Sequence, residues 1–292
     1  MTTTSTALDD YGRWLRRRGI GQQTIVQYIF HAGRADAGED PFDRITDRSL
    51  SPKYRRVCRA AIISYARFRA SEGDQAALAL IDQIKEVKLP APVRNTVKVP
   101  LDTTQWKNLR VEIDSADYIT EAMRAELGLM AARGLRRGDI LRLQKKEITD
   151  ALRTDTLSFI AKGERRLEFG VSPTWKHYLE SLEEEFDRER GAKMVSDLIA
   201  PGASDDNRMK AAGAAVVRGL RRVGEETGGI DVEKLTPHLL RATVATHYFV
   251  ACGRDPVKLQ SFMQWATLDV ALGYVSAGTR ESLDALAEEM LK

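Results

Sequence analysis

Six side chains in the last two-thirds of the chain form a set that could bind one phosphodiester and attack it. Guanidinium and ammonium groups hold phosphate oxygens, an indole N–H donates to one, and an imidazole moves a proton. A phenol serves as a nucleophile once its own proton has been accepted. In chain order the set is Arg136, Lys162, His238, Arg241, Trp265 and Tyr274. These residue types predict phosphodiester cleavage through a covalent tyrosine intermediate.

The first arginine lies in the motif GLRRGDILRL, residues 134–143. Gly134 is expected to end one helix, and Arg136 to begin the next. A helix start favours a phosphate because backbone N–H groups point outward beside the planar guanidinium. Asp139 follows three residues later, so it is placed to hydrogen-bond Arg136 and hold it.

The second motif, HLLRATVATHY, covers residues 238–248. His238 and Arg241 are three residues apart, so they share one face of a helix. Pro237 marks the helix entry and puts both side chains near the positive end of the helix dipole. An imidazole and a guanidinium in this arrangement suit proton transfer and phosphate binding.

The third motif, MQWATLDVALGY, covers residues 263–274. Trp265 and Tyr274 are nine residues apart, with a short helix expected between them. A lone tyrosine this near the C-terminus is usually a packing residue. Its position after two phosphate-binding motifs makes Tyr274 the candidate nucleophile.

These motifs resemble those of the tyrosine recombinases, the phage-integrase and Xer-type enzymes that make and break DNA through a 3′-phosphotyrosine. GLRRGDILRL is similar to the family's G-L-R-x-S-E-[IL]-x-x-L, and HLLRATVATHY to H-x-L-R-H-T-x-A-T. MQWATLDVALGY is similar to L-G-H-x-x-x-x-T-x-x-Y, with Trp265 in place of the commoner histidine. The run AKGERRLEF, residues 161–169, resembles the hairpin turn G-K-G-x-K-x-R-x-V, which assigns Lys162.

The resemblance implies a role for each residue. Arg136 and Arg241 would hold the phosphate, Trp265 would donate its N–H, and Tyr274 would attack phosphorus. His238 would accept the proton of the tyrosine hydroxyl. Lys162 would donate a proton to the leaving oxygen. Asp139 would support the first arginine.

The resemblance also implies an architecture, a mainly α fold with a small β-hairpin in a two-domain DNA clamp. Residues 1–88 would form a helical (SAM-like) core-binding domain, residues 89–102 a linker, and residues 103–292 the catalytic domain. Four protomers would assemble on two double-stranded DNA sites and exchange strands through a Holliday junction, with accessory proteins possible. The terminal segment 281–292 would pack either on its own protomer or on a neighbouring protomer.

The charge distribution favours DNA contact by the first third of the chain. Residues 1–95 carry 16 basic and 11 acidic side chains, whereas the remainder carries 29 and 31. A basic excess of this kind suggests a polyanionic partner. We expect the DNA-contacting residues to be Arg16, Arg17, Arg18, Lys53, Arg55, Arg56 and Arg59.

Helical patterns are expected near residues 7–18, 22–34, 52–70 and 75–86 in the first third. After the proline-rich stretch 88–103, we expect helices near 103–112 with Thr103 or Thr104 as cap, 117–133 and 137–145. Two strands, 155–160 and 165–171, should flank a turn, and Pro173 should open a helix. Residues 191–206 look like a loop, and later helices are expected near 207–226, 237–252, 255–263, 267–273 and 281–291.

Other classes are disfavoured by composition. No run of 18 apolar residues predicts a membrane span, and the N-terminal residues lack a signal-peptide pattern. Cys58 and Cys252 form no disulfide framework or metal-ligand spacing, so we expect no metal, no cofactor and a cytoplasmic, DNA-associated protein.

Two alternatives stay open at this point. One is a type IB topoisomerase-like enzyme that nicks and closes DNA without strand exchange. The other is a catalytically silent DNA-binding accessory protein, against which the presence of all six site residues argues. The sequence leaves open the target site and whether the chain serves a virus, a plasmid, another mobile element or chromosome-dimer resolution.

Overall fold

The computed structural model describes residues 3–90, 99–161 and 164–275, without the side chains of residues 3–5, 205–206 and 273–275. The chain divides into two compact units, Met1–Arg94 and Asn95–Lys292. Among the described residues, no helix is long and apolar enough to cross a membrane.

The regular elements in the described part of the first unit are all helices. Aromatic rings dominate its core, where Tyr11 packs edge-on against Tyr65 with ring centroids 5.0 Å apart, and Phe68 lies 5.5 Å from Tyr11. The first helix, expected near residues 7–18, contributes Tyr11 and Leu15 to this core, and both are buried. The helices are α1 (Thr3–Arg17), α2 (Gln22–Asp36), α3 (Asp43–Thr46), α4 (Pro52–Ser71) and α5 (Ala76–Glu86).

Helix α4 begins where the sequence predicts, because Ser51 caps it. The Ser51 hydroxyl accepts a hydrogen bond from the Tyr54 N–H at 3.2 Å, and Pro52 occupies the first turn. Arg55, one of the residues expected to contact DNA, does not lie on the surface of this unit. Its side chain is 7% exposed, and its Nε donates to the carbonyl oxygen of Ile45 at 2.8 Å. The guanidinium therefore ties α4 to α3.

The second unit is built around α7 (Glu121–Arg133), most of whose residues are buried. Leu127, Leu129 and Met130 are fully buried, and a helix buried on nearly all sides lies in the middle of a core. The other elements surround it. They are α6 (Thr103–Ser115), α7 (Glu121–Arg133), α8 (Arg137–Ile140), α9 (Lys145–Thr154), β1 (Thr156–Ala161), β2 (Arg165–Gly170), α10 (Pro173–Arg188), α11 (Val195–Ile199), α12 (Asp205–Thr227), α13 (Pro237–Ala251), α14 (Pro256–Met263) and α15 (Leu268–Val275).

Strands β1 and β2 form the expected antiparallel hairpin, within one residue of the predicted bounds. Thr156 pairs with Gly170 at one end of the ladder, and Ala161 pairs with Arg165 at the other. Leu157 and Phe159 on β1 alternate inward and are buried in the core. The turn residues 162 and 163 lie outside the described part of the chain, and so does the helix expected near 281–291.

Local details of the second unit differ from the sequence prediction. Helix α6 is capped by Asp102, which accepts from the Gln105 N–H at 2.7 Å, so neither Thr103 nor Thr104 is the cap. Helix α9 was not expected. The predicted loop 191–206 contains the short helix α11. Helix α11 has only five residues, which is too short for a clear apolar period, whereas α9 has ten.

Leu101 lies within the stretch expected to be a linker, yet it is 5% exposed and joins the core of the second unit. Its N–H donates to the Thr243 hydroxyl at 3.1 Å. Its carbonyl oxygen lies 3.1 Å from Nε2 of His247. Ordered packing of the second unit therefore begins before α6.

Candidate active site

A left-handed glycine sets up the segment that presents Arg136. Gly134 ends α7 at φ 69°, where a Cβ would lie 3.1 Å from Val244 and 3.2 Å from Met263. Glycine has no Cβ, so it fits both the conformation and the space. The chain then reaches Arg136, whose carbonyl oxygen accepts from the N–H of Asp139 at 2.9 Å as α8 begins.

The Arg136 side chain is exposed and forms an ion pair with a buried carboxylate. Its guanidinium lies 3.7 Å from the carboxylate of Asp139, with side chains 44% and 4% exposed respectively. The two residues thus form an ion pair, at a distance longer than the hydrogen bond expected between them. Arg142 approaches the other oxygen of Asp139 at 3.9 Å. One buried carboxylate thus faces two guanidiniums.

Helix α13 carries His238 and Arg241, as predicted from Pro237. Thr236 caps it by accepting from the Leu239 N–H at 3.2 Å. His238 is exposed, whereas Arg241 is only 5% exposed. Both residues lie in the first turns of the helix, but the Arg241 side chain is buried and the His238 side chain is not.

The Arg241 guanidinium lies between two backbone carbonyls from distant parts of the chain. It donates to the carbonyl oxygen of Gly134, and more weakly to that of Met263 at 3.4 Å. Since a guanidinium has five N–H donors and a fixed charge, these contacts orient the group without neutralising it. Arg241 therefore connects the segment before Arg136 to the end of α14.

Trp265 lies two residues after the end of α14 and is 5% exposed. It packs in a small apolar cluster with Phe249 of α13, Leu259 of α14 and Ala271 of α15. The Arg241 guanidinium carbon is 5.8 Å from the centre of its ring. The indole is thus fixed beside the second arginine.

Tyr274 lies in α15, and its side chain is outside the described residues. Ala271 of the same helix is fully buried in the cluster around Trp265, so α15 is packed next to that residue. Lys162 also lies outside the described residues, between the ends of β1 and β2.

Three arginines surround the C-terminal end of α14. Successive carbonyl oxygens there each accept a guanidinium N–H: Phe262 from Arg133 at 2.6 Å, Met263 from Arg241 at 3.4 Å and Gln264 from Arg165 at 3.4 Å. A helix C-terminus leaves its last carbonyls unpaired and carries partial negative charge. Cations satisfy both needs, and they fix the chain just before Trp265.

Arg133 is the residue of this group that the sequence analysis missed. Its guanidinium lies 3.8 Å from the ring of Phe262 and 4.5 Å from that of Phe169. Burial, together with the positive charge of Arg241, lowers the pKa of Arg133 to about 10. The partly buried Arg133 is thus a second cation near Arg241.

The basic residues predicted to contact DNA in the first unit differ in their surroundings. Arg16, Arg17 and Arg18 are exposed, and the Arg18 guanidinium stacks 3.9 Å from the ring centre of Trp14. Lys53 is exposed as well. Arg59 instead donates to the carbonyl oxygens of Lys85 and Val87 at 2.6 and 3.2 Å, and Arg56 donates to that of Pro90. These two arginines tie α4 to the end of α5.

The described part of the second unit thus joins Arg136, Asp139, Arg241 and Trp265 through a continuous set of contacts. The model of the phage integrase family matches residues 101–280, which is more than half of the chain. The chain belongs to the phage integrase family. The resemblance to the tyrosine recombinases is confirmed, and with it a general function as a recombinase or integrase in DNA recombination.

Solved structures of a site-specific recombinase and of two integrases share the fold. XerH site-specific recombinase bound to its palindromic difH substrate has a TM-score of 0.62 at 16% identity, over 98% of this chain and 84% of that one. A lambda integrase dimer on a COC′ core site has a TM-score of 0.55 at 16% identity, over 94% and 96%. The Tn1549 transposon integrase with circular intermediate DNA has a TM-score of 0.54 at 14% identity, over 97% and 99%.

These likenesses confirm the mainly helical fold with a small two-stranded sheet. No curated protein matches the sequence.

Proposed function

We propose that this phage integrase family member cleaves and rejoins double-stranded DNA at specific sites through a 3′-phosphotyrosine at Tyr274. Strands of two sites would be exchanged through a Holliday junction. The observation that carries the proposal is the hydrogen bond from Arg241 to the carbonyl oxygen of Gly134. It connects the turn before Arg136 to the helix of His238, which supports a single phosphate site made from both motifs.

Two arginines and an indole form the proposed phosphate site. Arg136 is exposed enough to reach a DNA backbone, and Asp139 beneath it limits its rotation. Arg241 offers a charge already oriented by two carbonyl oxygens. Charges fixed before the reaction stabilise the extra negative charge of the transition state without reorganisation. Trp265 adds one N–H donor for a phosphate oxygen.

The covalent step exchanges one ester for another. The Tyr274 oxygen bonds to phosphorus while the bond from phosphorus to the 5′ oxygen breaks. His238 accepts the phenolic proton, since a phenol of pKa about 10 is a weak nucleophile until it is deprotonated. Lys162 gives a proton to the departing 5′ oxygen. The new phosphotyrosine keeps the bond energy, so a 5′-hydroxyl can reverse the step without ATP.

The DNA partner follows from the charge distribution and from the solved relatives. The XerH and lambda integrase structures contain difH and COC′ DNA respectively. We propose that the first unit, through Arg16, Arg17, Arg18 and Lys53, grips the duplex while the second unit holds the cleavage site. Assembly as a tetramer on two sites belongs to the same proposal.

A suicide substrate tests the nucleophile. A nick close to the cleavage point lets the short 5′-hydroxyl strand dissociate, which traps the covalent intermediate. Wild-type protein should form a DNA adduct, and Tyr274→Phe should form none. Tyr118→Phe is the matched control, because the Tyr118 hydroxyl bonds Glu112 at 2.6 Å away from the proposed site. An adduct with Tyr274→Phe, or none with wild type, would falsify the proposal.

Two further measurements separate the proposal from its alternatives. Arg136→Ala and Arg241→Ala should abolish cleavage but leave most duplex binding, which rests on many phosphate contacts. Equal loss of binding and cleavage would make them ordinary backbone contacts. Products with joined sites support recombination, whereas relaxed circles without joined sites would favour a topoisomerase-like enzyme.

A further inference from the structure

Gln264 has a backbone conformation that a glutamine seldom adopts. It follows α14 at φ 50°, in the left-handed region, and the N–H of Trp265 bonds back to the carbonyl oxygen of Gln260 at 3.1 Å. This is the helix-ending position where glycine is preferred, because a Cβ is unfavourable there. The glutamine side chain must therefore make stabilising contacts that glycine, without a side chain, could not make.

The Gln264 side chain bonds both backbone groups of one residue in the hairpin. Its Nε2 donates to the carbonyl oxygen of Glu168, and the N–H of Glu168 donates to its Oε1 at 3.1 Å. Glu168 faces Ser158 of β1 in the ladder register. An edge strand leaves backbone groups without a ladder partner, and the amide of Gln264 occupies such an edge as a neighbouring strand would.

Other contacts bring the same two elements together. Arg165, the first residue of β2, donates to the carbonyl oxygen of Gln264 at 3.4 Å. Arg133 lies between Phe169 of β2 and Phe262 of α14. Among these contacts, the Gln264 amide alone bonds a donor and an acceptor of the strand at once, so it fixes the register between β2 and the end of α14.

We infer that Gln264 is a positioning residue that fixes the hairpin relative to Arg241 and Trp265. On one side of it, the carbonyl oxygen of Met263 accepts from Arg241, and on the other side Trp265 follows directly. The inference rests on the proposed function, in which the hairpin turn supplies Lys162 as the proton donor. Lys162 lies outside the described residues, and every contact used here joins residues that the structure describes.

Gln264→Gly tests this role without disturbing the backbone, since glycine adopts the left-handed conformation readily. Cleavage is measured at saturating DNA with two substrates, one with the natural 5′ oxygen and one with sulfur at that bridging position. A thiol has a pKa of about 8.5, so a thiolate leaves without a proton. The variant should cleave the oxygen substrate at least about tenfold more slowly than wild type, and the sulfur substrate within about threefold, at unchanged DNA affinity.

Asp155→Gly is the matched control. Asp155 also has φ 50°, and it lies at the end of the hairpin opposite the turn. It should cleave the oxygen substrate at the wild-type rate. A Gln264→Gly variant with wild-type cleavage of the oxygen substrate, with equal losses on both substrates, or with a loss confined to DNA affinity would overturn the positioning role.

Results that contradict the role of Gln264 can be distinguished from results that contradict the proposed function. If wild-type protein forms no adduct on either substrate, or if Tyr274→Phe forms one, the proposed function is wrong. If wild-type protein reacts through Tyr274 but Gln264→Gly shows no selective loss on the oxygen substrate, the positioning role alone is wrong. Thermal unfolding of each variant verifies that the second unit is folded.

Discussion

The guanidinium of Arg241 donates a hydrogen bond to the carbonyl oxygen of Gly134, two residues before Arg136. The two residues are 107 positions apart in sequence. The turn that presents the first arginine is thus fixed by the second, so the two proposed phosphate-binding residues depend on each other. Changes in the turn should therefore affect cleavage more than they affect folding.

Gly134→Ala tests this dependence. Alanine at φ 69° is strained, and its Cβ would lie 3.1 Å from Val244 and 3.2 Å from Met263. We expect a loss of roughly 1–3 kcal/mol in the free energy of unfolding and a larger loss of cleavage in protein that is still folded. Urea denaturation and single-turnover cleavage measure the two effects. Gly138→Ala is the control, because its Cβ would meet only the Arg142 guanidinium at 3.6 Å. Cleavage by Gly134→Ala at the wild-type rate would contradict the dependence.

Asp139→Asn should weaken the hold on Arg136. The buried carboxylate lies 3.7 Å from that guanidinium, and asparagine keeps the shape while removing the charge. We expect cleavage to fall about tenfold with DNA affinity nearly unchanged, because orientation rather than binding is lost. Arg142→Ala removes the other cation near Asp139 and should cleave like wild type. If Asp139→Asn and Arg142→Ala lose cleavage to the same extent, Asp139 supports the local structure and does not specifically orient Arg136.

Local sequence signals predicted most of the scaffold. Pro173 and Pro237 begin α10 and α13 as expected, and the hairpin strands agree within one residue. Each of these features is encoded by neighbouring residues, namely a helix-start proline or alternating apolar side chains. The pairing of Arg136 with Asp139 was predictable for the same reason, since it spans three residues.

Contacts between distant segments were not predictable in this way. A basic residue just before Gly134 looks like a surface residue at a helix end, yet Arg133 is enclosed by Phe169 and Phe262 from two other elements. Arg55 is drawn inward by the Ile45 carbonyl. For Gln264 a signal existed, because the resembling motif L-G-H has glycine where this chain has glutamine.

Glu126 makes the stability of the second unit depend on pH. It is fully buried in α7 without a hydrogen-bond partner among the described residues, and burial raises its pKa well above 4.5, although Arg137 opposes this. The folded state therefore keeps a proton that the unfolded state releases above about pH 4.3. The free energy of unfolding should fall as pH rises from there to the folded pKa.

Glu126→Gln should remove this pH dependence. Urea unfolding at pH 5, 7 and 9 should show a difference between variant and wild type that grows with pH, in favour of the variant. Glu126→Leu, which also removes the unpaired polar atoms, should be more stable than wild type at pH 8 by about 1–3 kcal/mol. A constant difference across the pH range would show that Glu126 does not change its ionisation on folding.

Trp265→Phe separates the indole N–H from the packing of the ring. Trp265 is 5% exposed beside Arg241, and phenylalanine keeps much of its contact with Phe249, Leu259 and Ala271. Loss of a fixed donor to the transition state should slow cleavage about tenfold to a hundredfold, whereas the packing change should cost about 1–2 kcal/mol of stability. Trp175→Phe is the control, because Trp175 is 2% exposed in α10 and outside the proposed site. Both variants should lose similar stability in urea, but only Trp265→Phe should lose single-turnover cleavage. If the control loses as much cleavage, the effect of Trp265 comes from packing, and its N–H plays no part in the reaction.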